Sequence, residues 1–193
     1  MKKVSLSGSV RKNVGKKDAK LIRREGLVPA VLYGNKEQTH FALKEVDIKK
    51  LVFTPNVYIV ELDIDGKKAD GIIKEVQMHP VTDRILHVDF QEVVDGKEVK
   101  IEIPVNITGL SVGVKNGGKL RQNFRKLKAV ALVDKLPDTI DVDVTNLKIG
   151  GKIRVGDIDI EGVSFLNPES AVVVAVQMAR GAKVVTDEEE EEA

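Results

Sequence analysis

Valine and isoleucine alternate with polar residues over long stretches of this chain, a two-residue period that suits half-buried strands and no helix. Val99, Ile101, Ile103, Val105 and Ile107 hold every second position, Leu86, Val88 and Phe90 do the same, and Val4, Leu6 and Val10 open the pattern. Successive strand residues point to opposite faces, so each run gives one apolar and one polar face. With aromatic residues at 4% and tryptophan absent, the core must be aliphatic, a bias that favours pleated surfaces. The expected fold is mainly β. A chain of 193 residues has room for two domains.

The first strand gives way to a basic loop, Arg11-Lys12-Asn13-Val14-Gly15-Lys16-Lys17, and then to a short helix over Asp18–Glu25 closed by Gly26. A strand over Val28–Gly34 follows, with Pro29 near its start, and a second helix is expected over Glu45–Phe53. Asp65-Gly66 tolerates positive φ and should join Val57–Asp63 to Lys67–Val76 as a hairpin. After a turn at His79–Arg84, Leu86, Val88 and Phe90 are expected on one face of a strand, with His87 and Asp89 on the other. These pieces form a barrel-like domain with short helices over residues 1–92. Val93–Lys97 reads as a junction to a second β domain at 98–180, with strands at Lys126–Leu132, Thr139–Val144 and Ala171–Met178. The run Ala171–Val176 is continuously apolar and should be buried on both faces. The last residues, 181–193, hold six consecutive carboxylates from Asp187 to Glu192 and are expected to form a disordered acidic tail.

A net charge of +1 conceals a strong asymmetry. Residues 1–34 carry nine basic and two acidic side chains, a local +7, which is the footprint of a phosphate-binding surface. Cysteine is absent, which excludes disulfides, thiolate metal sites and a cysteine nucleophile and suits the cytoplasm. The amino-terminal residues lack the apolar run of a secretory signal, and no stretch reaches the roughly 20 apolar residues of a membrane span. Gly113-Val114-Lys115-Asn116-Gly117-Gly118-Lys119 has P-loop spacing up to its lysine, but Leu120 stands where magnesium needs a hydroxyl. Glu61–Gly66 opens like a calcium loop, yet Ile72 occupies the place of the closing glutamate. His40, His79 and His87 lack zinc-site spacing, and the pair His87/Asp89 has no serine elbow to activate. No catalytic residue, metal site, cofactor or small-molecule substrate is expected.

Three segments together carry a resemblance. The arginine-led loop Arg11–Lys17, the run Leu21-Ile22-Arg23-Arg24-Glu25-Gly26-Leu27-Val28-Pro29-Ala30-Val31-Leu32-Tyr33-Gly34, and Val76-Gln77-Met78-His79-Pro80 leading to Leu86–Phe90 resemble the bacterial ribosomal protein twenty-five family. The likeness is to its two-domain form, of the general stress protein Ctc type, and Gly109–Gly118 looks like the glycine-rich loop of that form's second domain. The resemblance implies a six-stranded barrel-like first domain that binds 5S ribosomal RNA within the large ribosomal subunit, possible neighbours being other ribosomal proteins. It implies RNA contacts at Arg11, Arg24, Tyr33, His87 and Asp89, with Lys16 and Arg23 as weaker backbone contacts. Basic side chains suit phosphates, while tyrosine, histidine and aspartate suit sugar hydroxyls and base edges. A stress-linked RNA-binding protein acting partly off the ribosome is the alternative. Asp18 interrupts the basic stretch and is expected to cap the short helix.

Overall fold

The computed structural model describes residues 2–34, 38–94 and 96–178, so the acidic tail expected at 181–193 lies outside the described residues. Two compact units emerge: one comprises the residues up to Ile101 with Leu132–Asp138, the other Glu102–Ala131 with the residues from Thr139 onward.

The first unit runs β1 (Lys2–Val10), α1 (Lys16–Arg24), β2 (Leu27–Tyr33), β3 (Thr39–Lys44), α2 (Glu45–Val52), β4 (Tyr58–Ile64), β5 (Lys67–Met78) and β6 (Ile85–Glu92). Its strands close a barrel in the order β1-β3-β2-β6-β5-β4. Closure rests on a parallel pairing of β1 with β4, from Lys2 opposite Tyr58 to Gly8 opposite Ile64, and it removes the exposed edges of an open sheet. Val28, Phe41, Val60, Leu62, Val88 and Phe90 fill the interior with no exposed surface, and α2 adds Ile48 and Leu51 to the same cluster. The rings of Phe41 and Phe90 pack tilted, with centroids 5.8 Å apart. The β4–β5 hairpin turns through Asp65 at φ 49° and Gly66 at φ 87°, the pair of left-handed residues that a type I′ turn requires.

The helix α1 starts two residues earlier than expected, with Gly15 at its N-cap, and Gly26 follows it at φ 77°. Asp18 therefore sits inside the first turn and caps nothing, which corrects its expected role. A second correction concerns β6. Ile85, Val88 and Phe90 enter the core, and Leu86 does not join Val88 and Phe90 there. Gln77 pairs with His87 but Met78 pairs with Ile85, so Leu86 is the extra residue of a bulge that breaks the two-residue period. Strand β3 was not legible as alternation because Phe41, Ala42 and Leu43 are all buried in succession.

From the junction onward come β7 (Glu98–Thr108), α3 (Val112–Lys115), β8 (Gly118–Gln122), β9 (Lys126–Leu132), β10 (Ile140–Asp143), β11 (Lys152–Arg154), β12 (Val163–Phe165) and β13 (Val172–Met178). They form one sheet ordered β10-β7-β9-β12 and another ordered β11-β13-β8. The continuous apolar run is the central strand of the second sheet, and Val173, Val174, Ala175 and Val176 are all buried. The glycine-rich run leads from the short helix α3 into strand β8, the reverse of the strand-to-helix order of a P-loop. Its glycines serve close packing: a Cβ on Gly113 would stand 2.7 Å from the backbone of both Lys148 and Ile149. Gly113→Ala should therefore destabilise the protein by roughly 1–3 kcal/mol, as overpacking does, seen as a lower urea midpoint with an unchanged slope. A wild-type midpoint would show that this backbone contact yields freely.

Candidate nucleic-acid interface

Helix α1 concentrates charge because its sequence, Lys-Lys-Asp-Ala-Lys-Leu-Ile-Arg-Arg, turns one face inward through buried Ile22 and the rest outward. Residues four apart share a helix face, so Lys16, Lys20 and Arg24 form a stripe about 12 Å long, with Lys17 beside it. All four are exposed and have no ion pair or hydrogen bond among the described residues. Like charges four apart destabilise an isolated helix, so such a stripe is best relieved by an outside polyanion. A shallow hollow at the start of the helix is lined by Asn13, Val14, Lys16, Lys17 and Leu21, with the apolar Val14 and Leu21 open to solvent.

Two arginines fasten this helix to the barrel. Arg11, just after β1, sets its Nε and Nη2 on the Asp18 carboxylate at 3.1 and 2.6 Å, and its side chain is only 7% exposed. Arg23, in the last turn, donates Nε–H to the carbonyl of Leu86 at 2.9 Å. That carbonyl belongs to the bulge residue, which the ladder leaves without a cross-strand partner. Arg84 completes the attachment by donating Nη2–H to the carbonyl of Arg23 at 3.0 Å while lying 3.3 Å from the carboxylate of Glu45. The hydrogen bond from Lys49, with a lesser one from Arg84, holds the Glu45 carboxyl below the usual carboxylate range against the opposing effect of burial.

Beside Leu86, the outward face of β6 carries the expected pair. His87 Nδ1 lies 2.6 Å from Asp89 Oδ1. This contact orients the imidazole and leaves Nε2 for an outside partner. The parallel register sets Val31 opposite Asp89, and the antiparallel one sets Glu75 opposite Asp89 and Gln77 opposite His87. Tyr33 ends β2 in this neighbourhood. Burial first, then the carboxylates of Asp89 and Glu75, push its phenol above the usual value, so it stays a neutral hydrogen-bond donor and stacking surface.

The structure thus gathers Arg23, Tyr33, His87 and Asp89 around β6, and strings Lys16 and Arg24 along the helix that Arg23 attaches there. Arg11 stands apart, enclosed with Asp18. Sequence reasoning did not single out Lys17 and Lys20, although both lie in the basic segment it marked, and it missed Gln77 and Arg84. Gln77 reaches the site only through cross-strand register, which no local pattern reveals. Among the described residues no three histidine, aspartate or glutamate side chains cluster as metal ligands, and no helix is long and apolar enough to cross a membrane.

Comparison with known proteins gives two family matches. Residues 6–90 match the model of the Ribosomal L25p family, and residues 98–180 match that of the ribosomal protein TL5 C-terminal domain. Among similar proteins, the large ribosomal subunit protein bL25 of Porphyromonas gingivalis is 45% identical over 185 residues, covering 95% of this chain and 96% of that one. Its counterpart in Phocaeicola vulgatus is 43% identical over 190 residues, with 95% and 96% covered. That of Christiangramia forsetii is 42% identical over 182 residues, with 93% and 83% covered.

Proposed function

The chain belongs to the Ribosomal L25p family, and from that premise we propose that it is a structural constituent of the large ribosomal subunit, working in the cytoplasm, whose first 92 residues bind 5S ribosomal RNA. Residues 98–180 form a second domain in this reading. The observation that carries it is the attachment of the unpaired basic stripe of α1 to the strand bearing His87 and Asp89, through Arg23 and the Leu86 carbonyl. Phosphate contacts position a protein on RNA, and contacts to sugars and base edges specify the site. Here Lys16, Lys17, Lys20 and Arg24 supply the first kind, while His87, Asp89 and Tyr33 supply the second. A double-stranded RNA offers its 2′-hydroxyls and base edges in a shallow minor groove, which an outward strand face can approach. The protein binds and holds; no bond is made or broken.

Lys16→Ala and Lys20→Ala should each weaken binding to 5S RNA and to an unrelated duplex alike. Each should make the plot of log affinity against log salt shallower by roughly 0.9, one counterion's worth. Salt titrations on both RNAs measure this. A wild-type protein that binds a 5S transcript no more tightly than the unrelated duplex would overturn the assignment to 5S RNA.

A further inference from the structure

Lys119, which ends the glycine-rich run, takes no part in the barrel face, and its neighbours give it another use. It stands two residues from Arg121 on β8, so both side chains leave the same face of the sheet. Cross-strand register carries that face over the whole three-stranded sheet: Arg121 lies opposite Ala175 of β13, and Ala175 lies opposite Lys152 of β11, while Lys119 lies opposite Gln177. Two flanking strands therefore present Lys119, Arg121 and Lys152 around a central strand whose intervening side chain, Ala175, is a single methyl. Spacing is about 7 Å along β8 and about 10 Å across the sheet. All three cations are exposed, and none has an ion pair or hydrogen bond among the described residues. No carboxylate occupies a register position on this face.

The companion sheet is different. There Lys128 of β9 sits 4.0 Å from Glu102 of β7, and Asp141 of β10 accepts a hydrogen bond from Asn106 at 2.9 Å. An ordinary solvated face interleaves charges of both signs in this way, whereas a face of one sign over a small, flat floor suits a polyanion that must come close. We propose that the Lys119/Arg121/Lys152 face is a second RNA-contact surface, gripping the phosphates of an RNA duplex independently of the barrel. It reads charge and spacing, not sequence, since none of its side chains is arranged to tell one base from another.

The test is a salt titration of the full-length protein on a duplex RNA of unrelated sequence. Lys119→Gln/Arg121→Gln/Lys152→Gln should flatten the salt dependence by roughly 0.9 for each charge that meets a phosphate and lower affinity at low salt by at least about tenfold. Lys126→Gln/Lys128→Gln, which removes charge from the mixed sheet, should change neither. An unchanged slope in the triple variant, or an equal change in the control pair, overturns the proposal. A photo-reactive residue placed at Gln177 should cross-link to the RNA; a cross-link instead to the chain's own Asp187–Glu192 segment, or to another protein, overturns it too. His87→Ala should leave this contribution to the slope intact, so loss of 5S preference and loss of this surface are separate results.

Discussion

His87→Ala and Asp89→Ala should each lower affinity for 5S ribosomal RNA by about 1–3 kcal/mol, roughly five- to 150-fold, while binding to an unrelated duplex and the salt slope stay near wild type. The reason lies in the chemistry of the pair. With Nδ1 and the Asp89 carboxylate 2.6 Å apart, each group fixes the other, and alanine at either position frees the survivor to rotate away from its working direction. Neither change removes a phosphate-neutralising cation of the α1 stripe, so no counterion is retained that wild type would release. The barrel should survive both, because Val88 and Phe90 hold the interior and these two side chains leave the other face. Binding of both variants to both RNAs, with circular dichroism and thermal melting alongside, measures the effect. Wild-type affinity for 5S RNA in both variants would return the pair to a structural role.

How far the chain could be read without its structure depends on whether the relevant force is local. Val99–Ile107 and the Asp65-Gly66 turn were legible because side-chain alternation and left-handed φ are properties of neighbouring residues. β13 was legible for the opposite reason, a run of apolar residues with no polar interruption in the middle of a sheet. β3 was not, since Phe41, Ala42 and Leu43 are buried together and its polar ends, Thr39 and Lys44, suggest no period. Leu86 misled because the bulge that displaces it is set by pairing with β5, which the local sequence does not announce. The candidate site divides in the same way. The basic segment and the common face of His87 and Asp89 were visible in spacing alone, whereas the internal partners of Arg11 and Arg23 depend on Asp18 within a turn of helix and on a carbonyl 63 residues away. An arginine facing water and one that fastens a helix look alike in sequence.

That distinction sets the second large effect. Arg11→Ala and Arg23→Ala should each reduce 5S affinity by about tenfold, roughly 1.4 kcal/mol, and the double variant by more than the sum of lost charges would predict. Hydrogen bonds to charged groups contribute about 1.5–3 kcal/mol, and both ends of α1 rely on one: Arg11 on Asp18 at the first turn, Arg23 on Leu86 at the last. Released at either end, the helix no longer holds Lys16, Lys20 and Arg24 in register with β6, so the phosphate contacts and the recognition face cease to fit one RNA at once. Charge-preserving substitutions separate this from direct phosphate contact. Arg11→Lys and Arg23→Lys keep the positive charge but lose the planar fork that meets Asp18 through two nitrogens and aims Nε–H at the Leu86 carbonyl. As positioning residues they should behave like the alanine variants in affinity for 5S RNA while keeping the wild-type salt slope. Arg84→Ala should share the phenotype in weaker form, because it holds the same last turn through the Arg23 carbonyl. Lysine variants that restore wild-type affinity would make Arg11 and Arg23 ordinary phosphate ligands and would remove the helix attachment from the mechanism.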